Sequence, residues 1–463
     1  MPRKIIISKF GGTSVGNPAA LRKSAALSAK TGSSVIIVSA TSGTTNLIER
    51  LAKTVLEGNL DLSSKLVQEI TKKHENMSAE LEVDKETKEI MGSIYIELET
   101  LAKGMTFLKE CSKKAMDRLY AIGERLSSAL FAAVLKQETS KLKVQLFDIR
   151  NVLKTDSCYG KARPLLDEIK KNAQEKLLSE INNGSCFVTQ GFIGQTLSGD
   201  TTTLGRGGSD YSASLLAESL KAEVLEIWTD VAGIATTDPR LLSGAKIISE
   251  ITYKEASELA TFGAKVLHPT TLAPAIRENI PVFVGSSQEP EKGGTWIKKQ
   301  TEKCPLVRAI TVKKDQAILT LRNPSMVNAY GFLAQIFSVF ETHRISIDTI
   351  TTSEISVAMT VDLITLENKM LLTDLKKLGS VEVEKNLSLI SLVGNNINHT
   401  PGLGQGVFNA LQGDSFCQEK INVRLFCLGA SKNHFCFLVQ ENYSKKAIEN
   451  LHNTFIDGVN HDH

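Results

Sequence analysis

At 463 residues with 42% hydrophobic side chains, the chain is too long for one ordinary domain and too apolar to be disordered. Its 54 basic and 51 acidic residues leave a formal charge of +3, so electrostatics gives no reason to expect a nucleic-acid partner. The apolar run near Met1–Phe10 is too short for a signal segment, and no stretch approaches the roughly 20 apolar residues that cross a bilayer. Seven cysteines, at 111, 158, 186, 304, 417, 427 and 436, form no CxxC pair, so reduced thiols in a cytoplasmic protein without a membrane segment are expected.

In chain order, Ile5-Ile6-Ile7 reads as a short strand. A helix follows over about 18–30, with Asn17 as N-cap and Pro18 in the first turn. Val35-Ile36-Ile37-Val38 is the next strand, and this alternation predicts a mostly parallel sheet covered by helices. The Lys- and Glu-rich segment from about 60 to 120 reads as surface helices. Buried strands are predicted at 187–189, 224–228 and 281–284, and the Ser286–Gly294 stretch punctuates the chain before a boundary near 300. A weak repeat follows. One copy runs strand 317–321, helix 331–342, strands 347–352 and 356–363, helix 369–379. The other runs strand 387–393, helix 402–411, strands 421–427 and 434–439, helix 444–454, with an insertion at 412–420. Both fit a small split β-α-β sandwich.

Four segments carry candidate chemistry. Lys9-Phe10-Gly11-Gly12-Thr13-Ser14-Val15 follows the first strand. Glycines let backbone N–H groups approach a crowded phosphate, and a neighbouring lysine can neutralise a phosphoryl group in transfer; a plain tight turn is the alternative. Gly205-Arg206-Gly207-Gly208-Ser209-Asp210 closes a long glycine-rich loop. There Arg206 suits a carboxylate or phosphate, while Ser209 or Asp210 could simply cap the next helix. Trp228–Arg240 begins at the carboxyl end of a strand, where open α/β sheets bind ligands. Phe262–Pro269 places Lys265 between two helices; a solvated lysine and a structural His268 are the plainer readings.

In this order, and with Ser39–Asn46, Gly123–Ser127 and Phe147–Arg150, these segments resemble the aspartokinases of the amino-acid kinase family. The resemblance covers nearly the whole chain. It implies a three-layer α/β kinase domain at 1–297 and two ferredoxin-like ACT domains at 307–383 and 384–463. It also implies transfer of phosphate from ATP, with Mg2+, to the side-chain carboxylate of L-aspartate, opening the route to lysine, threonine and methionine. A carboxylate is already ionised at neutral pH, so no catalytic base is required; the difficulty is bringing one anion to another.

By resemblance, Lys9 stabilises the phosphoryl group, and Gly11 and Gly12 line the phosphates through their amides. Arg206 grips the α-carboxylate of aspartate and Glu124 its ammonium, with Thr45 and Ser209 as hydrogen-bond donors. Asp210 orients Lys9 or a magnesium-bound water. Thr229, Asp230, Arg240, Lys265 and Val266 line the nucleotide, with no dedicated protein metal site. Ala235 stands where relatives commonly have tyrosine. The likeness is to the single-function, lysine-sensitive type, with Met326, Phe332, Leu333, Ser346, Ile347, Asp348, Ser353 and Glu354 as effector-pocket candidates. Lysine is the expected effector and threonine the alternative; a homodimer or dimer of dimers is expected. Two other classes fit less well. A kinase–homoserine dehydrogenase fusion would need a second nucleotide fold, and no G-x-G-x-x-G segment opens one. A non-catalytic amino-acid sensor is opposed by the presence of Lys9, Arg206 and Asp210.

Overall fold

The computed structural model describes residues 4–140, 142–263, 271–327, 329–412, 420–428 and 431–458. The chain divides into two compact units: Met1–Ile234, Ile247–Tyr253 and Val266–Thr301 in one, and Ala235–Lys246, Lys254–Lys265 and Glu302–His463 in the other.

The first unit begins with β1 (Ile6–Phe10). Asn17 then caps α1 (Pro18–Thr31) by accepting the Ala20 N–H at 2.9 Å, and Gly32 ends it in the left-handed conformation. β2 (Val35–Val38) is buried along its whole length, as a central strand covered on both faces must be. Four helices follow: α2 (Thr44–Glu57), α3 (Leu60–Glu80), α4 (Lys85–Leu108) and α5 (Lys113–Glu138). Next come β3 (Lys143–Phe147), β4 (Lys154–Thr155), α6 (Leu166–Ala173), α7 (Ser179–Asn182), β5 (Ser185–Gln190), β6 (Ile193–Thr196), β7 (Thr201–Thr203) and α8 (Gly208–Leu220). The unit continues with β8 (Val224–Thr229), β9 (Glu250–Thr252), α10 (Ala273–Arg277), β10 (Val282–Ser286) and β11 (Gly294–Lys298). Of α9 (Tyr253–Thr261), all but the first residue falls in the second unit.

The main sheet has the order β3-β5-β2-β1-β8-β10-β11-β9, parallel except where β11 meets β10. The chain leaves β1 toward β2 on one side and returns through β8 on the other. That makes the carboxyl ends of β1 and β8 a topological switch point, where loops diverge and leave a crevice. Phe10, Ile36, Val38, Leu126, Leu130 and Phe131 fill the core between the sheet and α5, with the Phe10 and Phe131 rings 5.3 Å apart. The 60–120 segment is more than surface helix. Leu66, Ile70, Met77, Ile94, Leu98 and Met105 of α3 and α4 are buried in this same core, because each helix keeps an apolar stripe among its charges.

The second unit carries a six-stranded antiparallel sheet ordered β13-β14-β12-β15-β17-β16, made of β12 (Ala309–Arg322), β13 (Ile350–Thr352), β14 (Ser356–Asp362), β15 (Ser380–Val393), β16 (Leu425–Leu428) and β17 (His434–Gln440). Helices α11 (Phe332–Thr342) and α12 (Lys369–Leu378) cover one core, built on Leu319, Leu321, Ile336, Phe340, Met359 and Leu375. Helices α13 (Leu403–Gln412) and α14 (Ser444–His452) cover another, built on Ile310, Ile390, Leu392, Val407, Phe437 and Leu451. The expected repeat is therefore present, but its copies interleave. Ala309–Lys313 pairs with Leu389–Val393 in the second module, and Ile318–Arg322 pairs with Ser380–Glu384 in the first. A division at 383/384 thus misses residues 309–313, because one long strand serves both modules on either side of an irregularity near Lys313–Ile318.

Candidate active site

A cleft of about 900 Å³ opens at the carboxyl ends of the strands of the first unit, lined among others by Lys9, Gly12, Thr45, Glu124, Arg206, Ser209 and Asp210. Seven residues picked from four separate stretches of sequence thus converge.

Lys9 is the penultimate residue of β1 and only 8% exposed. Its Nζ lies 2.7 Å from Asp210 Oδ1. Asp210 sits in the first turn of α8 and caps nothing: the N-cap is Gly207, in the left-handed conformation at φ 72° and without a side-chain cap. Capping by Ser209 or Asp210, the plainer reading, is thereby set aside, and both side chains face the cleft. The two glycines after Lys9 differ. Gly11 donates its N–H to the Trp228 carbonyl at 3.0 Å, so the expectation that its amide serves a phosphate is corrected. Gly12 is required by packing, since a Cβ there would stand 2.8 Å from the Ala40 carbonyl oxygen. Its own carbonyl accepts the Ser42 N–H at 3.1 Å, tying the β1 loop to the 39–44 loop.

Glu124, on α5, is the electrostatic oddity. It is 6% exposed, accepts one long hydrogen bond from the Ala40 N–H at 3.4 Å, and has no cationic partner among the described residues. Burial pushes its carboxyl up to about 8, the Ala40 amide offsetting only part of that. An uncompensated carboxylate in a cleft wall is costly unless a ligand brings positive charge to it. Arg206 is exposed and makes no hydrogen bond or ion pair with a described residue, so its guanidinium is available to a ligand anion.

Asp117, also on α5, escaped the sequence reading. Only 1% exposed, it accepts the N–H groups of Gly160 at 2.9 Å and Thr203 at 3.0 Å and the Thr203 hydroxyl at 2.7 Å. It thereby ties the 159–161 loop and the end of β7, both beside the cleft, to one helix. A lone Asp in an amphipathic helix gives no local signal of this.

On the other flank of the switch point, Thr229 ends β8 and donates its hydroxyl to Asp230 at 3.0 Å. Asp230 is exposed. Arg240, in the second unit, is exposed and held in a two-pronged pair by Asp238, with Nε 3.0 Å from Oδ1 and Nη2 2.7 Å from Oδ2. Lys265 and Val266, with His268, lie outside the described residues. No cluster of three or more His, Cys, Asp or Glu side chains fit to hold a metal occurs among the described residues.

Of the effector candidates, Met326, Phe332 and Ile347 pack partly buried against the core of the first module. Leu333, Ser346, Ser353 and Glu354 are exposed. Asp348 already has a cation: Lys313 Nζ lies 2.5 Å from its carboxylate and 2.9 Å from that of Asp362.

With this geometry in place, comparison with known proteins is direct. The sequence model of the amino acid kinase family matches residues 4–286, and that of the ACT domain matches 390–455. The chain is 40% identical over 470 residues to lysine-sensitive aspartokinase 3 of Escherichia coli K12, covering 98% of this chain and all of that one. The chain belongs to the aspartokinases. Its fold matches E. coli aspartokinase III solved with aspartate and ADP in the R-state at a TM-score of 0.84 and 40% identity, over 97% of this chain and 99% of that one. It matches the T-state of the same enzyme, solved with lysine and aspartate, at 0.83 and 40%, over 98% and 100%.

Proposed function

We propose that the cleft transfers the γ-phosphoryl group of ATP to the side-chain carboxylate of L-aspartate, with each charge of the amino acid met by one residue. Arg206 takes the α-carboxylate, Glu124 the ammonium, and Thr45 and Ser209 donate hydrogen bonds to the carboxylate oxygens. Lys9 neutralises the phosphoryl group in flight, and Asp210, 2.7 Å away, holds the ammonium of Lys9 in place. The observation that carries the reading is Glu124. It is a buried carboxylate without a cation, in the same cleft as a free guanidinium and a held lysine. That is the charge complement of a zwitterion with an extra carboxylate.

Magnesium supplies charge neutralisation when bound to the ATP phosphates. The donor set fits such a role: Asp230, just past the carboxyl end of β8, accepts a side-chain hydrogen bond from the Thr229 hydroxyl and from no other described residue, and can take the ion's waters. The roles expected of Arg240, Lys265 and Val266 rest on the resemblance alone. We propose lysine as feedback effector, bound at the first module, with threonine the alternative. Because Lys313 occupies Asp348, Glu354 is the carboxylate left for an effector ammonium. No helix among the described residues is long and apolar enough to cross a membrane; we place the protein in the cytoplasm as a homodimer or dimer of dimers. The functional division we propose is a kinase part at 1–297 and regulatory modules at 307–383 and 384–463, with residues 309–313 lent to the second.

Trapping of the acyl phosphate by hydroxylamine tests the reaction. Aspartyl hydroxamate should form from clean protein only with ATP, magnesium and aspartate together; its absence would leave a non-catalytic sensor.

A further inference from the structure

The turn that carries Thr45 into the cleft is held from behind by a helix that contributes nothing to the catalytic set above. His74 lies on α3, fully buried. Its Nδ1 is 2.8 Å from the Ile70 carbonyl oxygen, one turn earlier. A carbonyl only accepts, so Nδ1 carries the proton and Nε2 is bare. Burial holds the ring's pKa down at about 4, with the Ile70 carbonyl pulling the other way and the Lys73 charge adding to the depression, so the ring is neutral at working pH. Nε2 stands 3.1 Å from Thr41 Oγ1, and a bare nitrogen can only accept. Thr41 must therefore donate there, which leaves its oxygen free to accept from the Thr44 hydroxyl at 2.7 Å. Thr44 in turn accepts from Lys73 Nζ at 3.0 Å, and Lys73 also donates to the Ser42 carbonyl.

Every proton in this chain is thus assigned. It runs from Lys73 through Thr44 and Thr41 to His74, from one residue of α3 back to the next, and it clamps both ends of the Thr41–Thr44 turn. Two functional groups depend on that turn. Thr45 follows it directly, and Ala40, whose amide reaches Glu124, precedes it. The Ser42 amide within it holds the Gly12 carbonyl. The turn therefore sets the distance between the aspartate side of the cleft and the phosphate side.

We propose that His74, with Lys73, is a positioning residue for aspartate. The neutral imidazole sets the Thr41–Thr44 turn through a one-directional hydrogen-bond chain and so places the Thr45 hydroxyl and the Ala40–Glu124 pair. This rests on the assignment of Thr45 and Glu124 to aspartate.

The test is steady-state kinetics of His74→Leu, His74→Gln, Thr41→Val and Thr45→Ala, each checked for folding by its melting curve. Losing the acceptor or the donor should raise the aspartate KM about tenfold, the worth of one misplaced hydrogen bond, and move the ATP KM less. Gln, which keeps an acceptor facing Thr41, should restore most of the loss. His74→Leu and Thr41→Val should not add when combined. Should the Leu variant fail to fold, Thr41→Val, which leaves α3 intact, still decides. An unchanged aspartate KM in Thr41→Val, with Thr45→Ala impaired, overturns the relay. An unchanged KM in Thr45→Ala instead overturns the underlying assignment. Equal losses for Gln and Leu would mean that His74 only fills space.

Discussion

Replacing Glu124 by Gln keeps the shape of the side chain and removes its charge. In the empty cleft, burial lifts this carboxyl from 4.5 to about 8. At 1.36 kcal/mol per unit that shift corresponds to roughly 5 kcal/mol against ionisation. At pH 7 the empty wild-type site is therefore mostly protonated, and an incoming ammonium must drive the proton off. Apparent aspartate affinity should consequently fall about tenfold for each unit below pH 8, or roughly 80-fold between pH 8.5 and 6. Binding at pH 7 should release close to one proton, seen as a buffer-dependent heat in calorimetry. In Glu124→Gln the ammonium meets a neutral amide in place of a carboxylate. Aspartate affinity should then drop by about two orders of magnitude, some 3 kcal/mol, and both the pH slope and the proton release should vanish.

Stability should move the other way. A carboxyl whose folded pKa is raised favours the fold below its unfolded value, and that contribution is lost as pH rises through the folded one. The empty Gln variant should therefore melt higher than wild type above pH 8, and the advantage should shrink as pH falls toward 4.5. Wild-type affinity that is flat with pH, with no proton released, would refute the argument, as would a Gln variant that binds aspartate normally.

Lys9→Ala should lower kcat by about 10²–10³-fold or more, since a preorganised charge at a developing anion is worth that much, while circular dichroism stays native. Gly12→Ala should raise the ATP KM and lower the melting temperature, because the new Cβ would meet the Ala40 carbonyl at 2.8 Å and push two cleft loops apart. Among single amino acids, lysine should inhibit in an initial-rate screen, and Glu354→Gln should weaken that inhibition without changing the uninhibited rate; indifference to every amino acid would defeat the assignment.

The sequence by itself determined the parallel kinase sheet, the position of Lys9 at the carboxyl end of the first strand, and the glycine-rich loop around Arg206. All three follow from local rules: β-α alternation, buried apolar strands, and glycines where backbone must crowd a ligand. It also revealed the repeat of strand and helix in the last third. What it left undecided needs distances across the chain. That Asp210 stands 2.7 Å from Lys9, while Gly207 rather than Ser209 or Asp210 takes the N-cap of α8, joins residues far apart in the chain. Gly11 and Gly12 look alike in sequence, and only the partner across the sheet, Trp228, takes the amide of the first. His74 and Lys73 sit in a Lys- and Glu-rich stretch whose pattern says no more than helix; that two residues of it grip a turn some thirty positions earlier is a long-range fact. The interleaved modules are hidden for the same reason. A strand's residues fix its pleat, but which neighbour each half pairs with is settled by the packing of helices on the sheet.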